Sequence, residues 1–158
     1  MSRDATFEEG GEQPLRLMAL EPEDLPPVSA LVQDAVFPIT EMTWQRDSRR
    51  FALLLNRFRW EDAAAAERLK RPFERVRSVL AIENVVRVQS QSVDAADRDQ
   101  VLSLLSLTWE PGEAPGGRLI LTLAGDGAIA VEVEALEVVL KDVTRPYAAP
   151  SGRAPRHV

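Results

Sequence analysis

The stretch Gly117-Arg-Leu-Ile-Leu-Thr-Leu-Ala-Gly-Asp-Gly-Ala-Ile-Ala-Val-Glu-Val-Glu134 decides the fold, because its register can be argued from residue types alone. Leu119, Leu121 and Leu123 alternate on one arm and Ile129, Val131 and Val133 on the other, the period-two signal of half-buried strands. A three-residue loop over Gly125-Asp126-Gly127 pairs Ala124 with Ala128, Leu123 with Ile129, Leu121 with Val131 and Leu119 with Val133, and sets Arg118 opposite Glu134. Every large apolar side chain then shares one face. A slip by one residue would throw half of them outward, so the hydrophobic pattern itself selects the parity. Gly127 stands where such a loop needs a left-handed residue.

Upstream of this hairpin the same reasoning yields further strands. Leu15 to Leu20 reads as a short first strand. Val28, Leu31, Val32 and Ala35 fall at i, i+3, i+4 and i+7, one stripe of a helix that begins near Pro27 and is stopped by Pro38. Glu23 and Asp24 suit its positive end. Ile39 to Gln45 and Arg50 to Trp60 form a hairpin closed over Arg46-Asp-Ser-Arg49, pairing Trp44 with Phe51, Met42 with Leu53 and Thr40 with Leu55. Arg57 and Arg59 continue the parity of Phe51, Leu53 and Leu55 and are expected to emerge at the rim of the core face.

Residues 61–70 form an exposed helical or irregular connection with only Leu69 to bury, ended by Pro72. From Arg75 to Val93 the chain is strand-like, with Val76, Ser78, Leu80, Ile82, Val86, Val88 and Ser90 in one parity, and Glu83-Asn84 marks a bend, a bulge or a break into two strands. Asp94 to Gln100 is a turn, and Val101 to Trp109 a strand with Val101, Leu105, Leu107 and Trp109 in phase. In Glu134 to Val143 the helical spacing of Leu136, Val139, Leu140 and Val143 favours a short helix, although the β-branched Val138 and Val139 also suit a strand. The fold class is therefore α+β: a twisted, largely antiparallel sheet of about seven strands with one N-terminal helix and a short C-terminal helix. The alternative architecture curls that sheet into a partly closed barrel. A single domain is expected over residues 15–143, between a disordered segment 1–14 and a flexible tail 144–158.

Composition narrows the chemistry. The chain has no Cys, which removes disulfides, thiolate catalysis and Cys-ligated metals, and its single His is His157, the penultimate residue. No apolar leader and no long uncharged apolar run is present, so a cytoplasmic setting without a membrane span is expected. A formal charge of −6 argues against bulk electrostatic coating of nucleic acid. The distribution is uneven, however: between Arg46 and Arg77 ten Arg or Lys residues face five acids.

Three segments carry a likeness to a known family: Arg50-Phe-Ala-Leu-Leu-Leu-Asn-Arg-Phe-Arg-Trp-Glu61, Val101-Leu-Ser-Leu-Leu-Ser-Leu-Thr-Trp-Glu-Pro-Gly-Glu-Ala-Pro115 and Gly127-Ala-Ile-Ala-Val-Glu-Val-Glu-Ala-Leu-Glu-Val-Val-Leu-Lys-Asp142. With the opening from Leu15 to Phe37 they resemble a bacterial domain-of-unknown-function family (DUF2948-like) over about residues 15–143, the Ala-rich piece 61–70 looking like a site of length variation. The resemblance implies a small cytoplasmic bacterial domain and brings no activity, cofactor or site residue with it.

No nucleotide-binding or nucleophile motif is present. Gly125-Asp126-Gly127 lies in a hairpin and lacks the following helix that a phosphate loop needs. Asp94, Asp97 and Asp99 lack the Gly and the terminal Glu of a calcium loop, and Glu132, Glu134 and Glu137 read as outward residues. The remaining candidate is basic and aromatic. Arg46, Arg49, Arg50, Arg57, Arg59, Arg75 and Arg77 are candidate anion-binding residues, with Phe58 and Trp60 as stacking rings. The competing reading packs the rings into the sheet and leaves the arginines solvated, pairing with Asp47, Glu61 and Glu74. The expected function is a non-enzymatic binding or interaction domain with no cofactor and no metal, its partner an unknown protein or a small anionic ligand. The alternatives are an anion-, nucleotide- or RNA-binding module, nucleic acid not being favoured, and lastly a carboxylate-based enzyme. Self-association through a sheet edge stays open.

Overall fold

The computed structural model describes residues 14–151 and 153–155. Eleven strands form one antiparallel sheet. In chain order they are β1 (Arg16–Ala19), β2 (Ala35–Pro38), β3 (Met42–Gln45), β4 (Arg50–Phe58), β5 (Glu74–Ile82), β6 (Val85–Gln91), β7 (Val101–Pro111), β8 (Gly117–Leu123), β9 (Ala128–Val133), β10 (Val138–Asp142) and β11 (Tyr147–Ala148). Helices α1 (Leu25–Val32) and α2 (Trp60–Arg68) and two 3₁₀ turns, Pro22–Asp24 and Ile39–Glu41, complete the described elements. The sheet runs β1-β10-β5-β4-β2-β7-β8-β9-β6, with β11 added to β5 and β3 added to β4. Its ends, β1 and β6, do not pair, so it is an open sheet and not a closed barrel.

One apolar cluster joins both halves of that order. Leu53, Leu55, Leu80, Ile82, Val138 and Leu140 meet Leu104, Leu107, Leu119, Leu121, Ile129 and Val131, and α1 adds Leu25, Val28 and Val32. The sheet therefore bends about a shared interior, which lets strands wet on their outer face bury every second residue. At Glu83-Asn84 the chain breaks into two strands and crosses from the middle of the sheet to its far end. Asn84 takes a left-handed φ of 59° there, a conformation that Asn tolerates better than most residues.

The β8–β9 hairpin keeps the expected parity but not the expected pairs. Leu119 lies opposite Val131, Leu121 opposite Ile129, and Arg118 opposite Glu132, a register displaced by two residues. The loop is Ala124-Gly125-Asp126, closed by the Leu123 N–H donating to the Gly127 carbonyl at 2.8 Å, and the left-handed residues are Gly125 and Asp126 instead of Gly127. A shift of two preserves the faces, so the apolar pattern cannot distinguish the two registers. The β3–β4 hairpin has the expected pairs Trp44–Phe51 and Met42–Leu53 over the loop 46–49. Thr40, however, lies in a 3₁₀ turn, and Asn56 next to Leu55 pairs with Val36 of β2.

Four further expectations are corrected. The described residues form eleven strands, not about seven. The segment read as a C-terminal helix is strand β10, hydrogen-bonded between β1 and β5, where two ladders outweigh a helical spacing and the β-branched Val138 and Val139 fit. In β7 a bulge between Leu104 and Ser106 resets the parity, so Leu104 is buried with Leu107 while Val101 is 61% exposed. A second bulge in β6, between Val85 and Arg87, buries Val85 and leaves Val86 42% exposed. Smaller differences follow the same pattern. Helix α1 ends at Val32 and Pro38 belongs to β2; α2 buries Ala66 and leaves Leu69 exposed. Beyond Val143, β11 pairs with the start of β5 and the Ala149 N–H donates to the Phe73 carbonyl at 2.8 Å. The disordered segment expected over 1–14 lies, apart from Pro14, outside the described residues.

Candidate functional site: a cationic cleft beside the edge strand

The arginines between 46 and 77 do not form one patch. Arg57 continues the core parity of β4 as expected, but its side chain is 0% exposed and does not reach the rim. It is held from three sides. Its terminal nitrogens donate to Glu61 Oε1 and Oε2 at 2.9 and 2.8 Å, one of them also donates to Asp142 Oδ1 at 3.0 Å, and Nε donates to the Ser78 hydroxyl at 3.0 Å. Ser78 in turn donates to Asp142 Oδ1 at 2.7 Å, and the backbone N–H of Leu15 donates to Oδ2 at 3.2 Å. β4, β5, β10, α2 and the residue just before β1 are thereby tied at one buried cluster. Burial works against the Arg57 charge, but the hydrogen bonds and charges of Glu61 and Asp142 outweigh it and hold the guanidinium protonated. Burial likewise pushes the Glu61 carboxyl up, and the hydrogen bond and charge of Arg57 more than reverse this, holding it below its ordinary range.

Around this cluster the neighbouring candidates are also engaged. Arg59 pairs with Glu74, and Asp62 and Glu61 each stand 3.8 Å away. Arg75 donates to the Asn56 side chain at 2.6 Å and to its carbonyl at 3.0 Å, and burial lowers its pKa. Phe58 is buried, edge-on to Trp60 at 4.6 Å between centroids and tilted against Phe73 at 5.7 Å, so neither of its faces is open to a base. Trp60 is half-buried and donates its indole N–H to the Gln33 carbonyl at 2.9 Å. Arg77 points from the outer face of β5 into a small depression with Val36, Pro38 and Val101. Arg50 donates to Glu83 at 2.7 Å.

Arg46 and Arg49, at the β3–β4 turn, lie elsewhere. They line a cleft of about 490 Å³ with Trp44, the start of β6 from Val85 to Val88, and Glu134. Arg49 is ion-paired with Glu134, whereas the exposed guanidiniums of Arg46 and Arg87 have no ion-pair partner among the described residues. Three arginines and one glutamate leave this cleft with a surplus of positive charge inside an acidic chain. Its walls are two strand edges: β3 pairs only with β4, and β6 only with β9, among the described residues. At one end β6 meets the β3–β4 turn, where the Val85 N–H donates to the Arg49 carbonyl at 2.9 Å.

Sequence reasoning missed Arg87 and Trp44 as partners of Arg46 and Arg49. Trp44 was assigned to the core face, which it does join, but it is only half-buried and its remaining surface lines the cleft. Period-two counting puts Arg87 on the outer face, where it is exposed, but says nothing of what stands across from it. The signal available was the register of β6 against β9, which no local pattern supplies.

The carboxylates have other roles. Asp94 Oδ1 accepts from the Ala96 N–H at 3.0 Å and Asp97 Oδ1 from the Asp99 N–H at 3.2 Å, short polar turns of the kind Asp favours. Glu110 accepts from Arg118 Nε at 3.0 Å, replacing the expected Arg118–Glu134 pair. No group of three or more His, Cys, Asp or Glu among the described residues is arranged to hold a metal ion. Among them, too, no helix is long and apolar enough to cross a membrane. A more apolar groove of about 630 Å³ separates α1 from β7 and is lined by Leu25, Ala30, Leu105, Leu107 and Trp109.

Fold and cleft together define an open antiparallel-sheet domain with a cationic seam beside its last strand. Over residues 15–157 the chain matches, and belongs to, the family described as "Protein of unknown function (DUF2948)". No curated protein and no solved structure matches it.

Proposed function

We propose that this domain is a non-enzymatic binding module and that its ligand-facing surface is the cleft between the β3–β4 turn and β6, which takes an anionic ligand. The observation that carries this reading is the pair of exposed guanidiniums, Arg46 and Arg87, without an ion-pair partner among the described residues, beside the partly open ring of Trp44 in one concavity. Guanidiniums bind carboxylates and phosphates through two parallel N–H donors, and an adjoining ring adds a stacking surface. The arginines of the buried cluster support the same reading by contrast: their donors are already taken by Glu61, Asp142, Ser78 and Asn56. A cytoplasmic, bacterial setting belongs to this proposal, and the lack of cysteine fits it.

The test is a titration with two polyanions, a glutamate oligomer and a mixed-sequence RNA 12-mer, at several salt concentrations. The intact domain should bind at least one of them more weakly as salt rises, and a variant combining Arg46→Ala, Arg49→Ala and Arg87→Ala should lose most of that dependence. Absence of binding, or an unchanged salt slope in the variant, contradicts the reading.

A further inference from the structure

The walls of the cleft are backbone edges, and this narrows the ligand. Resting on the anion-binding reading above, we propose that the cleft takes an acidic peptide segment of a partner protein in extended conformation, which adds to the free edge of β6 as one more strand. β6 ends the sheet order, and among the described residues its outer edge is occupied only at Val85, by the Arg49 carbonyl at 2.9 Å. From Val86 to Gln91 no described backbone group pairs on that side. An exposed edge is a row of unmet donors and acceptors that folded proteins ordinarily blunt with charged side chains, above all Lys, with Pro, with shortness or with a bulge, and Arg87 is the one charge on β6. β6 is seven residues long and contains neither Lys nor Pro. Its one bulge falls between Val85 and Arg87, at the end where the cleft is already closed, and from Arg87 to Gln91 the ladder to β9 is unbroken. The unblunted part, Arg87 to Gln91, therefore offers room for about five residues of strand, roughly 17 Å.

Charge selects the occupant. Arg87 projects from the strand itself, and Arg46 and Arg49 face it across the cleft, so carboxylates spaced along an added strand meet guanidiniums on both sides. A second copy of β6 would instead bring its own Arg87 and turn arginines toward these. Like charges across a strand pair are unfavourable. RNA would satisfy the arginines but would leave the β6 carbonyls and N–H groups unpaired.

The experiment uses the full chain and a blocked eight-residue peptide alternating Glu and Thr. It is compared with the same peptide N-methylated at alternate residues, with inorganic tripolyphosphate, and with the RNA 12-mer. Strand addition predicts that N-methylation on one edge weakens binding by about tenfold or more, because several backbone hydrogen bonds are lost together. It also predicts slower amide exchange within residues 87–91 on peptide addition, and a loss of about threefold each for Arg46→Ala and Arg87→Ala. Equal binding of both peptides without β6 protection overturns strand addition. The anion-binding reading survives that result if tripolyphosphate binding still depends on the arginines. RNA bound more tightly than the peptide also overturns the proposal, and failure of every probe overturns both readings.

Discussion

Arg57 and Arg46 belong to the same arginine-rich stretch and have opposite fates. Arg57 is buried with all its neighbours supplied by the fold, whereas Arg46 and the cleft it shares with Arg87 are open. The difference lies in the strands. Arg57 ends the core-facing parity of β4 at a point where α2, β5 and β10 cover it, so the sheet must furnish partners for a desolvated charge. Arg46 stands in a turn and Arg87 on an edge strand, and both are exposed among the described residues. A cation reserved for the fold and a cation available to a ligand are thus distinguished by what lies on the next strand.

The largest expected effect is on the buried side. Arg57→Met leaves Asp142 buried without its cationic partner, and urea denaturation should show a loss of about 3–5 kcal/mol. A loss below about 1 kcal/mol would mean that the cluster is not the tie described here. Removing the charge of Asp142 as well, Arg57→Met with Asp142→Leu, should recover about 1–3 kcal/mol of that loss, since the carboxylate left without a partner is then only the partly exposed Glu61. A double variant no more stable than the single would show that shape, not charge, governs the site.

Acid should separate the two regions as well. Burial raises and the Arg57 hydrogen bonds lower the Glu61 carboxyl, with a net depression. Asp62 is depressed by its hydrogen bonds from Arg71, burial opposing, with a further contribution from Arg59. A depressed carboxyl contributes stability that is complete above its unfolded value, roughly pH 4.3 for Glu, and is lost as pH falls through the folded value. Denaturation followed from pH 6 downward should therefore show stability falling below about pH 4.5, with a shallower fall in Arg57→Met. An equally steep fall would detach Glu61 from Arg57. On the open side, Arg46→Ala with Arg87→Ala should change stability by no more than about 0.5 kcal/mol while removing salt-dependent anion binding.

How much of this was legible in the sequence follows from what each residue can report. Leu119, Leu121, Ile129 and Val131 were assigned the correct face because parity is a local property, while their partners were displaced by two because parity repeats every two residues. Trp44–Phe51 and Met42–Leu53 were found because a four-residue loop leaves one register with matched large side chains. Val138 and Val139 were misassigned because the strands that recruit them, β1 and β5, lie more than fifty residues away along the chain. Arg57 followed the expected parity but not the expected depth, since Asp142 and Ser78 reach it only through the strand order. The cleft is half visible in the sequence: Arg46 and Arg49 share one turn, whereas Arg87 joins them through a bulge and a strand order with no local signature.

The division between reserved and available arginines can be read in one measurement. The folded chain is treated with an arginine-selective dicarbonyl reagent, with and without the acidic peptide, and the modified sites are followed by mass spectrometry. Arg46 and Arg87 should react at the rate of exposed arginine and become protected by the peptide, while Arg57 stays unmodified until the protein unfolds. Reaction of Arg57 as fast as Arg46, or resistance of both Arg46 and Arg87 in the free chain, would contradict the account.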